Sequence, residues 1–107
     1  MNKISFSKPL IDTKSSLRNL QVVINKKFPN EGEFTKKFEN RSKKILNSKY
    51  ALATTSGTIA IYLALKALNV GHKDEVIVPN ITFQATVNAI KMSGAKPILV
   101  DINPKIF

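Results

Sequence analysis

The apolar residues recur at helical spacing up to residue 47 and occur in short continuous runs after it. Over residues 13–26 apolar side chains recur at steps of three and four, which predicts an amphipathic helix. A break follows at residues 28–32, and the same periodicity predicts a second helix over residues 33–47. The apolar stripes consist of Leu17, Leu20, Val23 and Ile24 in the first helix and of Phe34, Phe38 and Ile45 in the second.

Beyond residue 47, short continuous apolar runs alternate with helical segments, which is typical of buried parallel strands and their crossover helices. Strands are predicted over residues 50–54, 75–78 and 97–100. Pro97 then occupies the first position of its strand, the position that suits a proline. The pattern therefore favours an α/β fold.

Two helices are predicted between these strands, over residues 58–69 and 82–92. Each is followed by a glycine in a stop position, Gly71 after the first and Gly94 after the second. The first of these helices is apolar on nearly every side, so it needs cover on more than one side. We expect a larger body, from a longer chain or a partner subunit, to supply that cover.

The composition argues against several kinds of site and several classes of protein. The chain has 107 residues, no cysteine and one histidine, which argues against a disulfide framework and a metal site. The longest apolar run, residues 59–65, is far below the roughly 20 residues of a membrane helix, and residues 1–10 lack the apolar core of a signal peptide. We expect a cytoplasmic, soluble protein without a membrane partner.

A net charge of +10 raises the alternative of a nucleic-acid binder. All basic residues except Arg18 and Arg41 are lysines, whereas base recognition relies on bidentate arginines. The densest basic cluster, in residues 36–44, alternates with apolar residues at helical spacing, as a solvated helix face does. We therefore expect no nucleic-acid partner.

A small polar turn separates the first predicted strand from the helix that follows it. The turn consists of residues 54–58, in which Ser56 and Thr58 add hydroxyl donors and Gly57 lets the backbone approach a ligand closely. It lies at a helix start, where unpaired N–H groups and the helix dipole favour an anion. A phosphate is the ligand that this chemistry suits. The same residues also make an ordinary helix cap, and the sequence pattern alone leaves both interpretations open.

Phe83 lies near the start of the next predicted helix, at the same carboxyl-end rim of the sheet. There it could stack on a flat ring in a shared pocket, or it could pack in the core beneath the helix. The spacing does not decide between these alternatives.

The order of these segments resembles the opening portion of the DegT/StrS family of sugar aminotransferases, over residues 9–107. The resemblance is carried by 53–58 (ATTSGT), 60–68, Gly71, 74–79 (DEVIVP), 82–83 (TF), 85–86 (AT), 88–89 (NA), 94–97 (GAKP) and 100–101 (VD).

The resemblance implies the N-terminal part of the large domain of a fold-type-I pyridoxal-phosphate enzyme, with a three-layer, mainly parallel sheet. Residues 1–47 would form an arm with helices, and residues 48–107 a strand-helix-strand-helix-strand unit. The cofactor implied is pyridoxal 5'-phosphate, held by Ser56, Gly57 and Thr58 at its phosphate and by Phe83 on its ring.

The reaction implied is transfer of an amino group, from glutamate, to a nucleotide-linked keto sugar in polysaccharide or glycan biosynthesis, by a homodimer. No lysine of this chain lies in the family's Schiff-base motif, so no catalytic residue is assigned and we expect the fragment to be inactive alone. The alternative is a non-catalytic phosphate-binding or dimerisation module. Residues 28–33 depart from the family's pattern near the sugar nucleotide, where only Gly32 is retained.

Overall fold

The structure, a computed structural model, describes residues 9–26 and 32–105. The chain divides into two compact units, Met1–Ala51 and Leu52–Phe107. The elements are α1 (Thr13–Asn25) and α2 (Glu33–Ile45) in the first unit, and α3 (Gly57–Ala67), β1 (Glu75–Pro79), α4 (Gln84–Ser93) and β2 (Lys96–Val100) in the second.

Helix α1 begins where the side chain of Asp12 caps its first turn. The Asp12 carboxylate accepts hydrogen bonds from the Ser15 hydroxyl at 2.6 Å and from the Ser15 backbone N–H at 3.3 Å. These bonds favour the charged form and lower the pKa of Asp12, the hydroxyl contributing most. The prediction of a helix over residues 13–26 is confirmed to within one residue.

Helix α2 begins after Gly32, and its first residue, Glu33, joins two lysines. The Glu33 carboxylate accepts a hydrogen bond from Lys26 Nζ at 2.6 Å and also pairs with Lys37, one turn further along α2. These contacts lower the pKa of Glu33 to about 2. The hydrogen bond from Lys26 contributes most, and the hydrogen bond from Lys37 is next. The helix ends two residues before the predicted end. Of the predicted break at residues 28–32, only Gly32 lies within the described residues.

The second unit is built on a parallel strand pair. Glu75 lies opposite Lys96, and their side chains form an ion pair at 2.8 Å. Helix α4 connects β1 to β2 and packs on both strands, and α3 packs against α4. This is the predicted α/β arrangement of strand, crossover helix and parallel strand. Its core consists of Val78, Ala89, Ile90 and Ala95.

Residues 50–54 form no strand, so the prediction of a first strand there is wrong for the described structure. A strand requires a hydrogen-bonded neighbouring strand, and the sheet of the described residues consists of β1 and β2. Strand β2 begins at Lys96, one residue earlier than predicted, which makes Pro97 its second residue. An edge strand tolerates this because the missing N–H can lie on the unpaired side.

The C-terminal ends of α3 and α4 lie close together. A Cβ added to Gly71 would lie 3.4 Å from Ser93 O, and one added to Gly94 would lie 3.4 Å from His72 N. Gly94 ends α4 with a left-handed φ of 94°, as predicted. After α3 the left-handed residue is Asn69 (φ 59°), so the prediction of Gly71 as the stop residue is wrong. Gly71 instead lies beside Ser93 at the end of α4.

Candidate anion-binding site

Short-range hydrogen bonds around Ser56 hold the first turn of α3. Ser56 Oγ accepts the backbone N–H of Ile59 at 3.3 Å, which caps the helix. The backbone carbonyl of Ser56 accepts the Thr54 hydroxyl and the Ala60 N–H, each at 3.0 Å. Ser56 therefore caps the helix and still has a hydroxyl proton to donate to a ligand.

The backbone N–H groups of Gly57 and Thr58 have no hydrogen-bond partner among the described residues. A Cβ added to Gly57 would meet no atom within 4 Å, so the packing of this chain does not require a glycine there. The space at the Cβ position of Gly57 is therefore open. Together with the positive end of the α3 dipole, these donors favour an anion with several acceptor oxygens, such as phosphate.

Phe83 is the N-cap residue of α4 and is 81% exposed. It is not part of the core of the described chain, which leaves its ring free to contact a ligand. The neighbouring hydroxyls of Thr82 and Thr86 lie 3.4 Å apart. The start of α4 therefore presents an aromatic face beside hydroxyl groups.

The N-termini of α3 and α4 lie at the same end of the second unit. The two helices pack against each other, and their C-terminal ends meet at Gly71 and Gly94, so the helices run in the same direction. The start of α4 follows the carboxyl end of β1 directly, with the Asn80 N–H bonded to Val100 O at 2.8 Å. Ser56 and Phe83 therefore border one rim, the edge where open parallel sheets bind ligands.

Asp74 and Glu75 make structural contacts, and His72 is exposed. Asp74 accepts the Gly71 N–H at 2.8 Å and so closes the turn before β1, and Glu75 pairs with Lys96. Over residues 9–26 and 32–105, no group of three or more potential metal ligands occurs. The chemistry of the second unit therefore centres on the hydroxyl and glycine turn.

Within this turn, the structure gives Thr54 a specific hydrogen-bond partner. Its hydroxyl bond to the Ser56 carbonyl was not anticipated from the sequence. A threonine two residues before a helix N-cap can bond the backbone locally, and this spacing is the signal that could have indicated it.

The sequence profile of the DegT/DnrJ/EryC1/StrS aminotransferase family matches residues 11–107. The chain belongs to this family. The resemblance inferred from its motifs is thereby confirmed.

Individual DegT/DnrJ/EryC1/StrS relatives agree with this assignment. GDP-perosamine synthase of Caulobacter vibrioides is 35% identical over 98% of the chain and 28% of its own length. The 3-oxo-glucose-6-phosphate:glutamate aminotransferase of Bacillus subtilis is 46% identical over 71% of the chain and 17% of its own length. The crystal structure of Bacillus subtilis NtdA with bound cofactor PMP aligns with a TM-score of 0.73 and 34% identity, over 96% of the chain and 26% of that structure.

The chain spans between 17% and 28% of the lengths of these DegT/DnrJ/EryC1/StrS relatives. The similarity to solved structures confirms the predicted fold, the N-terminal part of a fold-type-I enzyme domain. Within the described part of the chain, no helix has the length and hydrophobicity to cross a membrane.

Proposed function

We propose that this chain is part of a pyridoxal-phosphate-dependent aminotransferase that transfers an amino group to a keto sugar. The observation that carries the proposal is the capped start of α3, where the N–H groups of Gly57 and Thr58 have no partner among residues 9–26 and 32–105 and the Cβ position of Gly57 is open. This arrangement supports binding of the cofactor phosphate by Ser56, Gly57 and Thr58. Phe83, exposed at the same rim, would lie against the cofactor ring.

The described residues fit this cofactor. Its dianionic phosphate needs several donors, which the Ser56 hydroxyl and the two backbone N–H groups supply without a buried cation. When bound, pyridoxal phosphate supplies the electron sink for amino transfer. The role of this chain's own residues is to anchor the phosphate and fix the ring, so that the reacting atoms are presented in one orientation.

The substrates follow from the family and the relatives. We propose that a nucleotide-linked keto sugar accepts the amino group and that glutamate donates it, in polysaccharide or glycan biosynthesis. One relative is named for a GDP-linked sugar and another for a sugar phosphate and glutamate, which supports a phosphorylated sugar in general. We further propose that the enzyme works as a cytoplasmic homodimer. The exposed Leu63 on α3 and the exposed Leu68 at its C-cap support the need for a covering partner.

These 107 residues contain no lysine in the family's Schiff-base motif, so we propose that they bind the phosphate but do not catalyse transamination alone. Mixing the purified chain with pyridoxal phosphate and borohydride tests this. We expect no stoichiometric adduct at one defined lysine, and such an adduct would refute the proposal. The alternative function, a non-catalytic binding or dimerisation module, predicts the same result and needs a second experiment.

That experiment is a chimera in which residues 1–107 replace the matching segment of the Caulobacter vibrioides GDP-perosamine synthase, where 105 residues align. We expect the chimera to bind pyridoxal phosphate and to transfer an amino group to that enzyme's keto sugar. Gly57→Ala should weaken cofactor binding, because its methyl group would occupy the open space that the phosphate enters. A folded chimera that binds the cofactor but stays inactive would favour the module. Equal binding by the Gly57 variant would contradict the phosphate site.

A further inference from the structure

We infer that Thr54 is a positioning residue for the phosphate site: its hydroxyl fixes the peptide plane that carries the Gly57 N–H. This inference rests on the proposed function, because the Gly57 N–H is one of the proposed phosphate donors. Thr54 itself would not touch the ligand. It would act through the backbone carbonyl of Ser56, which accepts its hydroxyl at 3.0 Å.

The link between Thr54 and Gly57 is the geometry of one peptide unit. The Ser56 carbonyl and the Gly57 N–H belong to the same planar trans peptide and point in opposite directions. The carbonyl is held by the Thr54 hydroxyl and by the Ala60 N–H, both at 3.0 Å. The two hydrogen bonds that hold the Ser56 carbonyl therefore also orient the Gly57 N–H, which points away from the helix and toward the proposed ligand.

An additional anchor matters here because the residue on one side of this plane is a glycine. Glycine has the least restricted φ of any residue, so the peptide plane between Ser56 and Gly57 can rock more easily than in an ordinary helix start. The Ala60 N–H donates to the Ser56 carbonyl as part of the regular α-helical hydrogen bonding. The Thr54 hydroxyl donates to the same carbonyl from a residue outside the helix.

The neighbouring threonine provides a matched control. Thr55 is exposed and has no hydrogen bond among the described residues, whereas Thr54 is half-buried and bonded. Thr54→Val removes the hydroxyl at nearly constant volume, and Thr55→Val makes the same change one residue away. Thr54→Ser keeps the hydroxyl and should restore binding. Thr54→Ala serves as a second hydroxyl-free variant if the valine variant does not fold.

The experiment measures equilibrium binding of pyridoxal phosphate and of pyridoxal, which lacks the phosphate, to the chimera and its variants. A lost neutral hydrogen bond should weaken pyridoxal phosphate binding about three- to tenfold in Thr54→Val. Thr54→Ser and Thr55→Val should bind it as the unsubstituted chimera does. Pyridoxal binding should not change in any variant, because only the phosphate contacts depend on the Gly57 N–H.

The experiment distinguishes failure of the Thr54 positioning role from failure of the proposed phosphate site. If Thr54→Val binds pyridoxal phosphate as Thr55→Val does, or loses affinity for both ligands equally, the positioning role is overturned while the proposed function stands. If the unsubstituted chimera binds pyridoxal phosphate no more tightly than pyridoxal, the phosphate site itself is wrong, and the role of Thr54 is overturned with it.

Discussion

Gly94 and His72 approach each other backbone to backbone, since a Cβ added to Gly94 would lie 3.4 Å from His72 N. Gly94 also has a φ of 94°, in the left-handed region that side chains disfavour. This contact joins the end of α4 to the turn that precedes β1.

Gly94→Ala should therefore destabilise the fold by about 1–2 kcal/mol, because alanine in a left-handed conformation is strained. Urea unfolding of the chain, followed by circular dichroism, measures the change in the free energy of unfolding. Gly94→Asn should lower the free energy of unfolding by less, since asparagine tolerates this conformation better than alanine does. An alanine variant as stable as the wild type would show that the contact does not constrain the turn.

Substitutions at Ser56 should separate helix capping from ligand binding. Ser56→Ala removes the bond to the Ile59 N–H and should cost about 0.5–2 kcal/mol of stability. Ser56→Asp should keep the stability, because aspartate caps as well as serine and suits the helix dipole. Its negative charge should nevertheless repel the phosphate, so the chimera carrying it should bind pyridoxal phosphate less tightly. Unchanged binding by the aspartate variant would place the anion elsewhere.

Phe83→Ala should change cofactor affinity with little effect on stability. The ring is 81% exposed, so its removal should alter the free energy of unfolding by less than about 0.5 kcal/mol. Loss of ring stacking should weaken pyridoxal phosphate binding by the chimera about three- to tenfold, and Phe83→Trp should retain it. Ile81→Ala, at a 64% exposed neighbour, is the control and should bind as the unsubstituted chimera does. Equal affinities for all variants would argue against stacking.

The ion pairs of Glu33 predict a defined response to acid. Lys26 and Lys37 lower the pKa of Glu33 from 4.5 to about 2, so their stabilisation is present above pH 4.5 and is lost as the pH falls toward 2. Helicity of the chain, measured by circular dichroism across this window, should fall less steeply in Glu33→Gln than in the wild type.

Salt provides the control for this titration. All three side chains are exposed, so concentrated sodium chloride should screen their attraction and reduce the difference between the two proteins. If the variant and the wild type show identical acid profiles at low salt, Glu33 does not couple to either lysine.

Local patterns predicted the helices well, because each helix depends on side-chain periodicity and caps within its own segment. All four helix positions were predicted, with ends within two residues. The strand expected over residues 50–54 depends on a neighbour that the described chain does not supply, and periodicity carries no information about neighbours. The left-handed residue Asn69 was missed because a nearby glycine was the stronger sequence signal.

The candidate site was only partly predictable for a similar reason. The hydroxyl and glycine turn is contiguous, so its residue types alone indicated a helix start that is either an ordinary cap or an anion site. The exposure of Phe83 depends on what packs around it, and spacing left core and surface positions equally open. The role of Thr54 depends on the direction of one hydroxyl group, which residue order does not specify.

The glycine contact between the ends of α3 and α4 divides the second unit into regions with different tolerance to change. The rigid junction lies at one extremity of the helix pair, and Ser56 and Phe83 lie at the other. Natural variation or laboratory evolution should therefore accumulate more readily near the exposed Phe83 than at the junction, where substitutions cost stability.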